Sequence, residues 1–87
     1  MNENLFEFAS VKQNKLANTI RTRIISEIIR MENINELNEL AGTKFEKSDL
    51  LIYFKNINDF RYFLDQRNIS TQSIIVSAMI KLKRKHK

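Results

Sequence analysis

The segment Lys81-Leu82-Lys83-Arg84-Lys85-His86-Lys87 puts five permanent cations and the sole histidine into seven residues. Ammonium and guanidinium groups at that density pair with phosphate or carboxylate, so the chemistry on offer is anion binding. Reactive groups are otherwise sparse. There is no cysteine, hence no thiolate nucleophile, no disulfide and no thiolate metal site. His86 stands alone among the cations. The chain has no His-Glu-x-x-His, no Gly-rich phosphate loop and no Gly-x-Ser-x-Gly. Glu36 and Glu39 lie three apart, and Asp59 and Asp65 are scattered, so the carboxylates read as solvated or capping groups. The expectation is a non-enzymatic protein without metal or cofactor.

The cations are unevenly placed. Residues 1–41 carry five Lys/Arg against six Glu, a balance of −1, and residues 42–87 carry ten against four, a balance of +6. A roughly neutral first part joined to a basic second part points to a polyanion partner for the latter. Within the basic part, Phe45, Tyr53, Phe54, Phe60, Tyr62 and Phe63 interleave with Lys44, Lys47, Lys55 and Arg61. Aromatic rings among cations can stack on single-stranded bases. The phenylalanines 54, 60 and 63 read as core, leaving Tyr53 and Tyr62 as the stacking candidates.

Elements must position these groups. With 87 residues, one glycine and no proline, the chain has room for one domain (1–87) with a modest core, for which oligomerisation is a common remedy. Leu16, Ala17, Ile20, Ile24, Ile28 and Met31 recur at helical spacing, widened by Ile25 and Ile29. Residues 3–31 therefore read as one long helix or two with a bend. Asn33 and Glu36 suggest a helix start, and Gly42 a left-handed stop, for a short helix over 34–41. Asp49–Lys55 suits a strand, or a helix capped by Ser48. Ile57, Phe60, Phe63 and Leu64 predict a helix with Asn58 as its cap. Ser70 or Thr71 can cap a last helix that is apolar nearly all round, through Ile74, Ile75, Val76, Met79 and Ile80. A helix of that kind is normally buried on several sides, and a second copy of the chain offers the simplest cover. No apolar run approaches the roughly 20 residues of a membrane span, and Met1-Asn2-Glu3-Asn4 lacks the basic start of a signal peptide, so a cytoplasmic location is expected.

Residues 49–84 resemble a ribbon-helix-helix domain, a fold of small repressors, antitoxins and partition proteins. The order is similar: a strand, a helix of about ten residues, a turn at Asn68-Ile69-Ser70-Thr71, and an apolar second helix. The resemblance implies a mainly α fold in which N-terminal helices precede a dimeric strand-helix-helix unit. It implies Leu50, Ile52 and Phe54 in the core and Asp49, Leu51 and Tyr53 facing DNA. Ser70, Thr71 and the amide of Gln72 would hold a phosphate at the helix N-terminus. The groove-facing set lacks the usual base-bonding side chains, so either Lys47 and Lys55 carry more of the contact or this strand does not read bases. A second outline, Ile34–Ala41, Gly42-Thr43-Lys44 and Ser48–Lys55, is that of a helix-turn-helix.

The expectation that follows is a small homodimeric DNA-binding protein, a regulator or accessory factor of a mobile element. Its DNA contacts would come from Lys44, Lys47, Asp49, Leu51, Tyr53, Lys55, Ser70, Thr71, Gln72, Lys81, Lys83, Arg84, Lys85 and Lys87. Ile74, Ile75, Val76, Met79 and Ile80 would form its dimer interface, and Ile20, Ile24 and Ile28 could recruit a protein. The rival is an all-α bundle acting as a protein-binding adaptor or inhibitor, docking through its wide apolar faces.

Overall fold

The computed structural model describes residues 9–85, with side chains through Arg84. Five helices follow one another: α1 (Val11–Arg30), α2 (Asn35–Ala41), α3 (Lys47–Lys55), α4 (Phe60–Asp65) and α5 (Thr71–Lys85). No strand occurs among the described residues, and none of these helices is long and apolar enough to cross a membrane. The early turn expected at Leu5–Phe8 lies outside the described residues.

α1 is the central strut. It starts where Ser10 accepts from the Gln13 amide and the Gln13 side chain returns the bond to Ser10, a reciprocal cap. Its buried face, Ala17, Ile20, Ile24 and Ile28, meets Leu50 and Phe54 of α3, Phe63 of α4, and Ile74, Ile75, Ala78 and Met79 of α5 in one continuous core. α2 joins this core from the side of α5, on which it packs through Leu37 and Ala41. It begins after Asn33 accepts from the Asn35 amide at 3.0 Å, with Ile34 rather than Asn33 in the cap position. It ends at Gly42, whose φ of 70° is the left-handed conformation that glycine adopts most cheaply.

The strand expected over 49–55 is a helix, and the physical reason is local and global at once. Glu46 and Asp49 close a reciprocal cap, Asp49 accepting from the Glu46 amide at 2.8 Å, which nucleates the turn ahead of Ser48. Leu50 and Phe54, four apart, are both fully buried against α1, whereas Ile52 is exposed and Leu51 and Tyr53 are half-buried. Strand alternation would have buried 50, 52 and 54 together. A single strand would also leave its backbone groups without partners, a cost the helix avoids internally. The ribbon-helix-helix reading therefore fails at its first element. The helix-turn-helix outline fares little better: α2 leans on α5 and α3 on α1, so its two helices do not brace each other.

Both faces reserved for partners are used inside the chain. Ile20, Ile24 and Ile28 are buried under α3 and α4, and Ile74, Ile75 and Met79 are buried in the same core. Val76 is half-buried, and Ile80 alone of the five interface candidates is exposed, at 37%. The apolar excess of α5 is thus covered by α1 and α2, and it no longer calls for a second copy.

Each of the four connections between helices is tied down by a cation from elsewhere. The Lys47 ammonium donates to the carbonyls of Ile29, at 3.1 Å, and Met31 at the end of α1. Lys83 donates to the Gly42 carbonyl at 2.8 Å. Arg21 donates to the Ile57 carbonyl between α3 and α4, and Arg23 to that of Ile69 between α4 and α5, at 3.5 Å. For Lys47 and Lys83 these are helix C-termini, whose carbonyls lack intrahelical donors and whose dipole pole suits a cation. Within the second connection, Asn38 adds its own lock: its amide donates to the Phe45 carbonyl at 2.9 Å, and its oxygen accepts from the Phe45 amide at 2.8 Å and the Thr43 hydroxyl at 2.7 Å.

Arg21 differs from the other three in being 5% exposed, with its guanidinium 5.0 Å from the centre of the Phe63 ring. Burial pulls its pKa below the ordinary value, yet an arginine keeps its charge at any physiological pH. Arg21→Met is expected to lower stability by about 1–3 kcal/mol, because it strands a carbonyl and a ring partner inside the fold. Arg23→Met, at the exposed and longer contact, is expected to change it by roughly 0.5 kcal/mol or less. Urea denaturation of the two variants checks the difference.

Candidate nucleic-acid interface

Two free cations, Lys81 and Arg84, meet at one groove. α4 is short, and it opens with Asp59, not Asn58, as its cap, the carboxylate accepting from the Arg61 amide at 3.0 Å. That bond, with the Arg61 side chain beside it, holds the Asp59 carboxyl below its usual range. α4 lies across α1, fixed by Phe63 at its centre. This leaves Tyr62 on the flank toward α5. Between the two helices runs a groove of about 310 Å³ lined by Tyr62 and Gln66 on one wall and by Ser77, Ile80, Lys81 and Arg84 on the other. The latter four are spaced i, i+3, i+4 and i+7, one face of α5. Among the described residues, no carboxylate lines the groove. Lys81 and Arg84 are exposed, and neither has a partner among the described residues.

The opposite charge gathers at the other end of α5. A second cleft, of about 360 Å³, is lined by Glu27, Glu32 and Glu36 with Asn33, Asn35 and Gln72. Gln72 and Arg84 are separated by about 18 Å of helix axis, so the charge imbalance of the sequence becomes a spatial polarity along α5. Ser70 caps this helix as expected, accepting from the Ser73 amide at 3.2 Å and donating to the Ser73 hydroxyl at 2.9 Å. The phosphate site assigned to Ser70, Thr71 and Gln72 is therefore capped by the chain's own hydroxyl and borders three carboxylates, which repel a phosphate.

The remaining candidates scatter. Lys47 and Lys83 are engaged as helix-end donors. Asp49 is a cap, Leu51 and Tyr53 are half-buried, and Lys55 is exposed at the last turn of α3. Lys44 is exposed in the connection after α2. The side chain of Lys85 and all of Lys87 lie outside the described residues. Of the basic cluster, the structure thus brings Lys81 and Arg84 together with Tyr62, and it sets Lys83 on the other flank of α5 toward α2. Gln66 and Ser77 were missed, since neither stands out by type; only the i, i+4, i+7 relation of Ser77 to Lys81 and Arg84 signals its place.

Comparisons with family models, with curated proteins and with solved structures return no match. The functional reading accordingly stands on the geometry.

Tyr62 is the titratable group that the groove perturbs most. Burial first, and the neighbouring Tyr53 second, push its hydroxyl up to about 12. Burial also raises Tyr53. The folded state favours the neutral phenols, so this stabilisation is whole below the ordinary tyrosine value of about 10 and is lost as pH rises through about 12. Alkaline absorbance titration should place Tyr62 ionisation near that upper value, and Tyr53→Phe should shift it downward. A Tyr62 midpoint near 10 in the folded protein would contradict the burial.

Proposed function

We propose that this chain is a nucleic-acid-binding protein that grips the sugar–phosphate backbone through the groove between α4 and α5. One observation carries the reading: Lys81 and Arg84 share an exposed helix face that opens on an aromatic ring and an amide, with no carboxylate among them. Six of the other described cations are already committed. Arg21, Arg23, Lys47 and Lys83 bind carbonyls. Arg30 pairs with Glu27 and Arg61 with Asp59. A backbone of phosphates is the ligand that rewards two uncommitted, strongly donating cations on one rim.

The chain acts in this reading as a single folded copy, because the apolar centres of its helices meet in one core. The rival adaptor reading drew on the isoleucine face of α1 and on the apolar last helix. The centre of each, Ile20, Ile24 and Ile28 on α1 and Ile74, Ile75 and Met79 on α5, is buried, and the large apolar residues that stay exposed, Val11, Leu16, Ile29, Leu40, Ile52, Ile69 and Ile80, are spread over α1, α2, α3, α5 and the connection before α5. Regulation, or service to a mobile element, is the role we propose for such binding.

Fluorescence anisotropy with labelled duplex DNA over a salt series tests the proposal. Lys81→Ala/Arg84→Ala is expected to weaken binding about tenfold at low salt and to reduce the salt slope by about 2, one for each lost phosphate contact. Unchanged affinity and slope in that variant, with wild-type helicity, would overturn it.

A further inference from the structure

We infer that the α4–α5 groove holds one nucleotide of a single strand, with the base against Tyr62 and its phosphate on Lys81 and Arg84; this rests on the nucleic-acid reading above and specifies its ligand. The volume, about 310 Å³, lies at the small end of the range for ligand pockets. It suits one residue of a strand and not the width of a duplex. The cations stand exposed at the rim, whereas Tyr62 is half-buried on the opposite wall. A duplex resting on that rim reaches the cations with its outer phosphates and keeps its bases stacked inside, out of reach of the ring. A single strand can satisfy both at once by turning a base inward.

The ring is placed for this. Tyr62 meets Phe63 edge-on, with centroids 5.2 Å apart and planes at 87°, so Phe63 covers at most one of its faces. Its immediate neighbour Phe63 is fully buried, while Tyr62 keeps contact with the groove. Ile80 supplies an apolar surface across from it, exposed on the same wall as Lys81. Gln66 brings both a donor and an acceptor to the edge of a base held there, and Ser77 a hydroxyl within the same lining. An apolar slot with a few convergent polar groups is what selects a flat heteroaromatic ligand over a bare phosphate.

The protein carries two tyrosines and no tryptophan, so Tyr53→Phe leaves Tyr62 as the only tyrosine reporter. Unlabelled oligothymidylate titrated into that variant should quench its emission to saturation, and a duplex of equal length should quench it little. In anisotropy, Tyr62→Leu should cost roughly tenfold in affinity for labelled oligothymidylate, the scale of one stacked base, and leave duplex affinity unchanged; Tyr62→Phe should recover most of the loss. Absence of quenching by the single strand, or equal losses on both ligands for Tyr62→Leu, overturns the inference. If Lys81→Ala/Arg84→Ala weakens both ligands while the tyrosine experiments show nothing, the backbone reading survives and the nucleotide site falls. If neither ligand binds at low salt, both fall. Should Tyr62→Leu lose its circular dichroism, the quenching experiment on the intact ring decides alone.

Discussion

The guanidinium of Arg21 sets the terms for the rest of the molecule. A charge removed from water is costly unless its donors find acceptors, and Arg21 finds the Ile57 carbonyl and the face of Phe63. Those two contacts belong to the connection before α4 and to α4 itself. One side chain on the central helix therefore dictates where α3 must stop and how the six residues of α4 cross α1. A helix that short has little intrinsic stability. Its position is borrowed from α1, and with it the position of Tyr62 at the groove.

The same economy governs the other cations. A chain with a single glycine and no proline has few of the residues that end helices locally. Two of its helix ends are closed from a distance instead, α1 by Lys47 and α2 by Lys83, while Arg21 and Arg23 hold the later connections. Net charge consequently overstates what is available to a ligand. The surplus in residues 42–87 includes Lys47 and Lys83, whose ammonium groups are occupied by the chain's own carbonyls.

Periodicity made α1 legible, because Ala17, Ile20, Ile24 and Ile28 repeat without interruption, and Gly42 and Ser70 announced a stop and a start by their own chemistry. The segment 47–55 was ambiguous because the five adjacent residues Leu50 to Phe54 satisfy either period; Leu50 and Phe54 settled it through contact with α1, which is tertiary information. The roles of Lys47, Lys83 and Arg21 were hidden for the same reason, since a cation's partner carbonyl has no sequence signature. Arg21 did leave one trace. With Ala17, Ile24 and Ile28 it completes a run spaced four, three and four, which is a core pattern with a charged member. Of the basic cluster, its presence was plain and its division between the two flanks of α5 was not.

That division has a consequence for how tightly the groove can hold anything. The last turn of a helix ordinarily frays, and long side chains there lose rotational freedom when a ligand captures them. Lys83 lies between Lys81 and Arg84 in sequence but reaches the other way, to the Gly42 carbonyl. By anchoring the far side of α5 it holds the helical register of the two residues on the near side before any ligand arrives. Part of the ordering cost of binding is thus met during folding, and the affinity of the front of this helix is governed by a contact at its back.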